Sequence, residues 1–261
     1  RNKYNAAGEL IERLDASQKG VEFTYDIGGR IKEVYTPGSI KAGISAQQYT
    51  YDAMGNITGI KDGEGNYTQH RLDLWGRVAE INKADGSVEK YTYDYAGNIT
   101  SSTDGNGNTT LYDYNSLNAL SQITDPVGDK ITYRYDSQGR VARRADRNRR
   151  ITEYLYDIDD SLILRRDLAT GTREEFSYNI DGTLKMASGG GMVYSYDYTP
   201  NMNLKSKKAN NKPLLEYSYN KDNKVVELKD ITGSRIQYKY DLLGRTQEVW
   251  HKDKKEAEYS Y

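Results

Sequence analysis

The sequence predicts an all-β protein, a spiralling ribbon of antiparallel β-hairpins built from about twelve copies of one unit. Three observations carry this. First, a short phrase (an aromatic, one residue, Tyr, then Asp or Asn) recurs along the whole chain of 261 residues, marked by Tyr4, Tyr25, Tyr51, Leu72, Tyr93, Tyr114, Tyr135, Tyr156, Tyr178, Tyr196, Tyr219, Tyr240 and Tyr261. Second, the intervals between these marks are 21, 26, 21, 21, 21, 21, 21, 22, 18, 23, 21 and 21 residues. Third, 21 of the 25 Tyr residues occupy the two aromatic positions of the phrase, so the rings belong to the repeat itself. A period this regular leaves no room for a separate non-repeating domain. The expected organisation is one continuous array over 1–261, cut from a longer protein, since residue 1 falls inside a repeat.

Each element of the unit has a local reason. Tyr49 and Tyr51 are two residues apart, so on a strand both rings face the same way. Asp52-Ala53-Met54-Gly55 then has Asp first and Gly fourth, the preferences of a type I turn closed by a left-handed residue. The same turn recurs at Asp26 to Gly29, Asp94 to Gly97, Asp136 to Gly139 and Asp241 to Gly244. Where the Gly is missing, Asn118, Asp160 and Asn223 replace it, residues that tolerate positive φ; Pro200 is the exception. Two residues further on an aliphatic (Leu10, Ile31, Ile57, Val78, Ile99) opens the returning strand. A second turn follows, as in Asp62-Gly63-Glu64-Gly65 and Asp104-Gly105-Asn106-Gly107. Two strands per repeat give about 24 strands, with Tyr rings laddered along one face at the strand spacing of ~4.8 Å. A sheet that wide is expected to curl. The insertion from Tyr35 to Ala46 and the Gly189-Gly190-Gly191 stretch read as loops.

Composition narrows the function classes. The 37 basic and 38 acidic residues nearly balance, so no overall field draws in nucleic acid. No run of 18 apolar residues exists to span a bilayer as a helix. A mean hydropathy of −0.89 is that of a disordered chain, but regularly placed aromatics argue for a folded one. There is no Cys, so no disulfide framework.

These residues resemble the YD repeats of the Rhs family. Tyr49-Thr50-Tyr51-Asp52-Ala53-Met54-Gly55-Asn56-Ile57, Tyr91 to Ile99 and Tyr133 to Val141 are near-ideal copies, and the likeness covers essentially the whole chain. The family includes wall-associated and contact-dependent bacterial toxins, shell components of insecticidal toxin complexes, and animal teneurins. The resemblance implies a spiralling sheet that closes into a hollow shell, here a segment of one. It also implies a secreted or cell-surface protein whose partners are the rest of its shell and an enclosed C-terminal toxin domain. The expected role is structural and non-catalytic, with no cofactor. The alternative is a surface adhesion or carbohydrate-binding module.

The other candidate residues read as parts of the repeat. Asp125-Pro126-Val127-Gly128 looks like half of the motif where shell-forming relatives release their toxin. However, Asp129 stands where Leu is required, and Asp125 is in register with Asp62, Asp104, Asp146 and Asp230, so it reads as a second turn. Asp104 to Asn108 imitates a Ca²⁺ loop but lacks its Gly and Glu at Thr109 and Asn115. His70 and His251 are too far apart in sequence for a zinc pair, and His70 reads as a substituted ring. Asp159 and Asp160 are adjacent, which suits a turn better than paired-carboxylate catalysis. The cluster Arg143, Arg144, Arg147, Arg149 and Arg150 reads as a solvated hairpin tip. Ser188-Gly189-Gly190-Gly191 lacks the strand-to-helix context of a phosphate loop.

Overall fold

The structure is a computed structural model that describes residues 1–17 and 19–261. The described residues form an all-β fold of twenty-five strands with one short helix, and they divide into two compact units, 1–130 and 131–261. The first holds β1 (Asn2–Tyr4), β2 (Leu10–Leu14), β3 (Gly20–Tyr25), β4 (Ile31–Tyr35), α1 (Pro37–Ala42), β5 (Gln47–Tyr51), β6 (Ile57–Asp62), β7 (Tyr67–Leu72), β8 (Val78–Asn82), β9 (Val88–Tyr93), β10 (Ile99–Thr103), β11 (Thr109–Tyr114) and β12 (Leu120–Thr124). The second takes in β13 (Lys130–Tyr135), β14 (Val141–Ala145), β15 (Ile151–Tyr156), β16 (Leu162–Asp167), β17 (Arg173–Tyr178), β18 (Leu184–Gly189), β19 (Met192–Tyr198), β20 (Leu204–Ala209), β21 (Lys212–Tyr219), β22 (Val225–Asp230), β23 (Arg235–Tyr240), β24 (Thr246–His251) and β25 (Lys254–Glu258). Within each unit, consecutive strands pair antiparallel.

The β9–β10 hairpin shows why the repeat folds as it does. The Asp94 amide donates to the Asn98 carbonyl (3.0 Å) and the Gly97 amide to the Asp94 carbonyl (3.2 Å). Gly97 sits at φ 91°, which only Gly adopts without strain. The returning strand carries a second irregularity that the residue pattern does not announce. Ile99 pairs with Tyr93 and Ser101 with Thr92, leaving Thr100 as an extra residue. The same bulge recurs at Thr58 and Ala142. Between repeats the ladder is shorter: Glu80, Ile81 and Asn82 of β8 pair with Lys90, Glu89 and Val88 of β9, and pairing ends there.

Four sequence readings are revised. Rings do not stack on rings at the strand spacing, because each ring-bearing strand is flanked by returning strands. Tyr49 lies opposite Ile60, Tyr112 opposite Ile123, and, in the second unit, Tyr154 opposite Arg165 and Tyr217 opposite Leu228. The ladder therefore alternates ring with an aliphatic or basic side chain, or with Ser102 opposite Tyr91. The Tyr35–Ala46 insertion is not all loop, because Thr36 caps α1: it accepts from the Ser39 amide, Pro37 follows at the first helical position, and Gly43 closes the helix at φ 70°. The Gly190-Gly191 pair is a tight two-residue hairpin turn with both φ positive, 58° and 77°. The phrase-marking residue of the irregular repeat is Tyr198, not Tyr196. The turn there runs Thr199 to Met202, with the Met202 amide donating to the Thr199 carbonyl (2.9 Å), and Met202, not Pro200, takes the left-handed position at φ 61°. The intervals around it become 20 and 21, and Leu204 supplies the aliphatic two residues on.

The core is thin. Ala209 (7% exposed) is the best-covered apolar side chain among the described residues, and no large side chain is fully enclosed.

Candidate functional site

The repeated feature with the densest chemistry is the row of first turns and the rings behind them. The opening carboxylate is consumed by its own turn. Asp52 Oδ1 accepts from the Met54 and Asn56 amides (both 2.9 Å). Asp26, Asp136 and Asp241 accept likewise from the residues two and four further on, and Asp94 accepts from the Asn98 amide (2.8 Å). The side chains of Arg30 beside Asp26 and Asn98 beside Asp94 hold those carboxyls below the usual Asp range. The fourth residue is left-handed in each case: Gly29 at 74°, Gly55 at 94°, Gly139 at 82° and Gly244 at 75°.

The second Tyr of the phrase closes the gap between repeats. Where the short inter-repeat ladder ends, the Tyr93 hydroxyl donates to the Val78 carbonyl of the preceding repeat (2.7 Å). Tyr25 donates likewise to Leu10 (2.8 Å), Tyr51 to Ile31 (2.5 Å), Tyr114 to Ile99 (2.9 Å) and Tyr240 to Val225 (2.7 Å). These carbonyls belong to the aliphatics that open the returning strands, and the hydroxyl satisfies a group the ladder misses. Tyr135 occupies the same position in its hairpin, paired with Val141. Burial pushes the hydroxyls of Tyr51, Tyr93 and Tyr240 above the usual Tyr value. The need for a hydroxyl explains why Phe23 and Phe176 appear only at the first ring position. Leu72 has no hydroxyl to offer Ile57.

A third component was not singled out from the sequence: a basic residue immediately after the left-handed position. Arg77 Nε donates to Asp73 Oδ2 (2.7 Å), its Nη1 donates to the Asp94 carbonyl of the next turn (3.1 Å), and its guanidinium lies 4.4 Å from the centre of the Tyr93 ring. Arg30 bridges Asp26 to the Asp52 carbonyl over Tyr51, and Arg140 bridges Asp136 to the Asp157 carbonyl over Tyr156. Lys224 and Arg245 lie over Tyr240 and Tyr261. A cation over a ring contributes about 0.5–1 kcal/mol at exposed sites. The available signal was Asp and Arg four residues apart, with Tyr sixteen residues after the Arg, or 21 where the Tyr35–Ala46 insertion intervenes between Arg30 and Tyr51.

The remaining candidates take structural places. Asp125 opens a second turn, accepting from the Val127 and Asp129 amides (3.1 and 2.9 Å). Asp104 Oδ1 accepts from the Asn106 and Asn108 amides (both 2.9 Å), so this oxygen is engaged by its own loop. His70 pairs with Ile81 at the first ring position. His251 Nε2 lies 2.8 Å from Ser234 Oγ. Asp160 is the left-handed residue of a first turn (φ 63°) and meets Arg140 Nη1 at 2.6 Å. In the basic cluster, Arg143 donates to Glu153 (2.8 Å), which Arg166 also contacts, and Arg149 sits left-handed at φ 61°.

Hairpins closed by Asx turns and welded side by side through Tyr hydroxyls define a YD-repeat β-ribbon. Residues 3–164, more than half of the chain, match the teneurin YD-shell model, and the chain belongs to that family. Among solved structures, the crystal structure of TcdB2-TccC3-TEV is similar at a TM-score of 0.77 and 14% identity, covering 96% of this chain and 15% of that one. TcdB2-TccC3 gives 0.75 at 15% identity, covering 96% and 16%. TcdB2-TccC3 without its hypervariable C-terminal region gives 0.56 at 15% identity, covering 96% and 15%. At these identities the likeness is one of fold. This chain spans less than a fifth of the length of those it resembles. No curated protein is similar enough to count as a match.

Proposed function

We propose that this array is a non-catalytic length of shell wall in a larger secreted or surface-exposed protein, shielding an enclosed C-terminal toxin segment. One observation carries the reading: the Tyr hydroxyl-to-carbonyl weld between neighbouring repeats returns with the sequence period, and Arg30, Arg77 and Arg140 add a bridge to the next turn. Machinery that recurs from repeat to repeat serves continuity of a surface, whereas a catalytic site is assembled once. Family membership and the likeness in fold to TcdB2-TccC3 agree with a wall.

The test is limited proteolysis of the full-length protein that carries this array. Replacing Tyr93 and Tyr135 together by Ala removes two rings from the wall, and such vacated volume is costly. The C-terminal segment is then expected to become digestible. Single Ala substitutions of His70, Asp104, Asp125 or Asp160 leave it protected and leave any release step intact. A C-terminal segment cut as fast in the native protein as in isolation overturns enclosure. Loss of release in Asp125→Ala alone makes Asp125 a cleavage residue.

A further inference from the structure

We propose that the sheet face of β13–β17 that points away from the Tyr rings is a docking surface for an extended acidic segment of polypeptide. One cross-strand row carries the inference. Arg134 on β13 pairs with Arg143 on β14, Arg143 with Glu153 on β15, Glu153 with Arg166 on β16, and Arg166 with Arg173 on β17. These residues alternate along their strands with the ring positions Tyr133, Tyr154 and Phe176, so the row occupies the opposite face.

The row holds more positive charge than the sheet can neutralise. Like charges directly opposite one another destabilise a sheet, and the pairs Arg134–Arg143 and Arg166–Arg173 are both of that kind. Glu153 is the one carboxylate within the row. It is shared between Arg143 (2.8 Å) and Arg166 (2.5 Å), which hold its carboxyl below the usual Glu range. Arg173 reaches only the exposed Glu175, at 3.4 Å. Arg134 is exposed, and no acidic side chain among the described residues pairs with it. The corresponding row three repeats earlier runs Arg71, Glu80, Lys90 and alternates in sign. The surplus therefore belongs to this stretch and not to the repeat.

The residue type and the surroundings select the partner. Residues 134–173 hold ten of the 17 Arg in the chain and none of the 20 Lys. A guanidinium fork grips a carboxylate through two parallel hydrogen bonds, which an ammonium does not. From Arg134 to Arg173 the row crosses four strand spacings, roughly 19 Å, which an extended peptide covers in about six residues with alternate side chains facing the sheet. Apolar groups flank the row, Ala145 opposite Ile151 on one side and Leu155 opposite Leu164 on the other. Ile151 is 37% and Leu155 47% exposed. A hollow of about 180 Å³ between Thr132, Arg134, Arg143, Ala145 and Ile151 seats one carboxylate side chain at the end of the row. A peptide that mixes carboxylates with aliphatics satisfies both kinds of contact. Single-stranded nucleic acid needs rings on which to stack its bases, and the rings lie on the other face.

The test is titration of the whole chain against an octapeptide of alternating Glu and Val carrying an uncharged dye, read by fluorescence anisotropy. A dissociation constant on the order of 50 μM is expected at low salt, weakening at least fivefold as NaCl rises from about 0.05 M to about 0.5 M. An octapeptide of alternating Gln and Val binds at least tenfold more weakly. Arg134→Gln and Arg173→Gln, at exposed side chains, each leave melting unchanged and weaken binding at least threefold. Arg71→Gln, at the position in β7 that corresponds to Arg134, changes binding less than twofold. Equal binding of the Gln-Val peptide, undiminished binding in both Arg134→Gln and Arg173→Gln, an equal loss in Arg71→Gln, or tighter binding of a twelve-nucleotide oligothymidylate overturns the proposal. The shell-wall reading stands or falls separately, on proteolysis.

Discussion

Removing the single hydroxyl of Tyr93 is expected to loosen one weld between repeats and little else. Tyr93→Phe keeps the ring under Arg77 (4.4 Å) and deletes the 2.7 Å bond to the Val78 carbonyl. That carbonyl lies beyond the end of the β8–β9 ladder, whose pairs stop at Glu80 and Lys90. A net intramolecular hydrogen bond contributes about 1 kcal/mol, and leaving a half-covered acceptor without it costs on that order. Repeat arrays do not always unfold as one unit, so the local readout is hydrogen exchange at the amides of β8 and β9, about fivefold faster for 1 kcal/mol. The control is Tyr91→Phe, whose hydroxyl meets only the Glu89 carboxylate (3.0 Å) at a position where Phe23 and Phe176 already occur. It is expected to change exchange less than twofold. The converse is Leu72→Tyr, which places a hydroxyl fifteen residues after Ile57, the spacing that joins Tyr93 to Val78, and is expected to slow exchange in β6 and β7. Equal effects of Tyr91→Phe and Tyr93→Phe would refute the weld.

Three further predictions concern the turns. Gly97→Val should cost about 1–3 kcal/mol in thermal or denaturant melts. A Cβ there meets nothing within 4 Å, so any loss is backbone strain at φ 91°. Met202→Gly should stabilise by up to about 1 kcal/mol, since Met at φ 61° pays the left-handed penalty; a decrease would argue against the Thr199–Met202 turn. The opening carboxylates of Asp26, Asp52 and Asp94 are depressed mainly by the Arg30, Asn56 and Asn98 side chains. Their contribution is therefore full above the unfolded Asp value of about 3.9 and is lost as pH falls through the lower folded values. Acid melts of an Asp26→Asn, Asp52→Asn, Asp94→Asn triple variant should lose less stability between neutral pH and pH 2 than the native chain. An unchanged acid slope would remove these turns from the account.

Much of the hairpin was legible because its requirements fall on single residues: Asp or Asn to accept turn amides, Gly to turn left-handed, an aliphatic to restart the strand. The features that escaped depend on two residues far apart or on competing local signals. Tyr194-Ser195-Tyr196-Asp197-Tyr198 contains two overlapping phrases, and the Asp after Tyr196 points to the wrong one. Asp197 instead binds Ser206 Oγ (2.7 Å) and Lys208 Nζ (2.9 Å) across the sheet. Met202 gives no sign of the left-handed residue it is. The Arg77 brace joins residues 73, 77, 93 and 94 of two repeats, so no single-repeat pattern reveals it. In α1, the Pro37-Gly38 pair reads as a breaker, although Thr36 and Ser39 make the pair the start of a capped helix.

The hydroxyl welds divide the repeat into a part of fixed length and a part free to vary. From the second ring position to the residue that restarts the strand, an aliphatic except at Thr246, the step is always six residues: Tyr25 to Ile31, Leu72 to Val78, Tyr198 to Leu204, Tyr240 to Thr246. From that aliphatic to the next weld the count is 15 at Tyr93, but 20 at Tyr51, 16 at Tyr178 and 14 at Tyr198. Every insertion and deletion in this array therefore sits on the second-turn side, where α1 and the two-residue turns are found. A lineage can lengthen, shorten or decorate that edge without disturbing the weld, while a single added residue at the other edge would break two repeats at once.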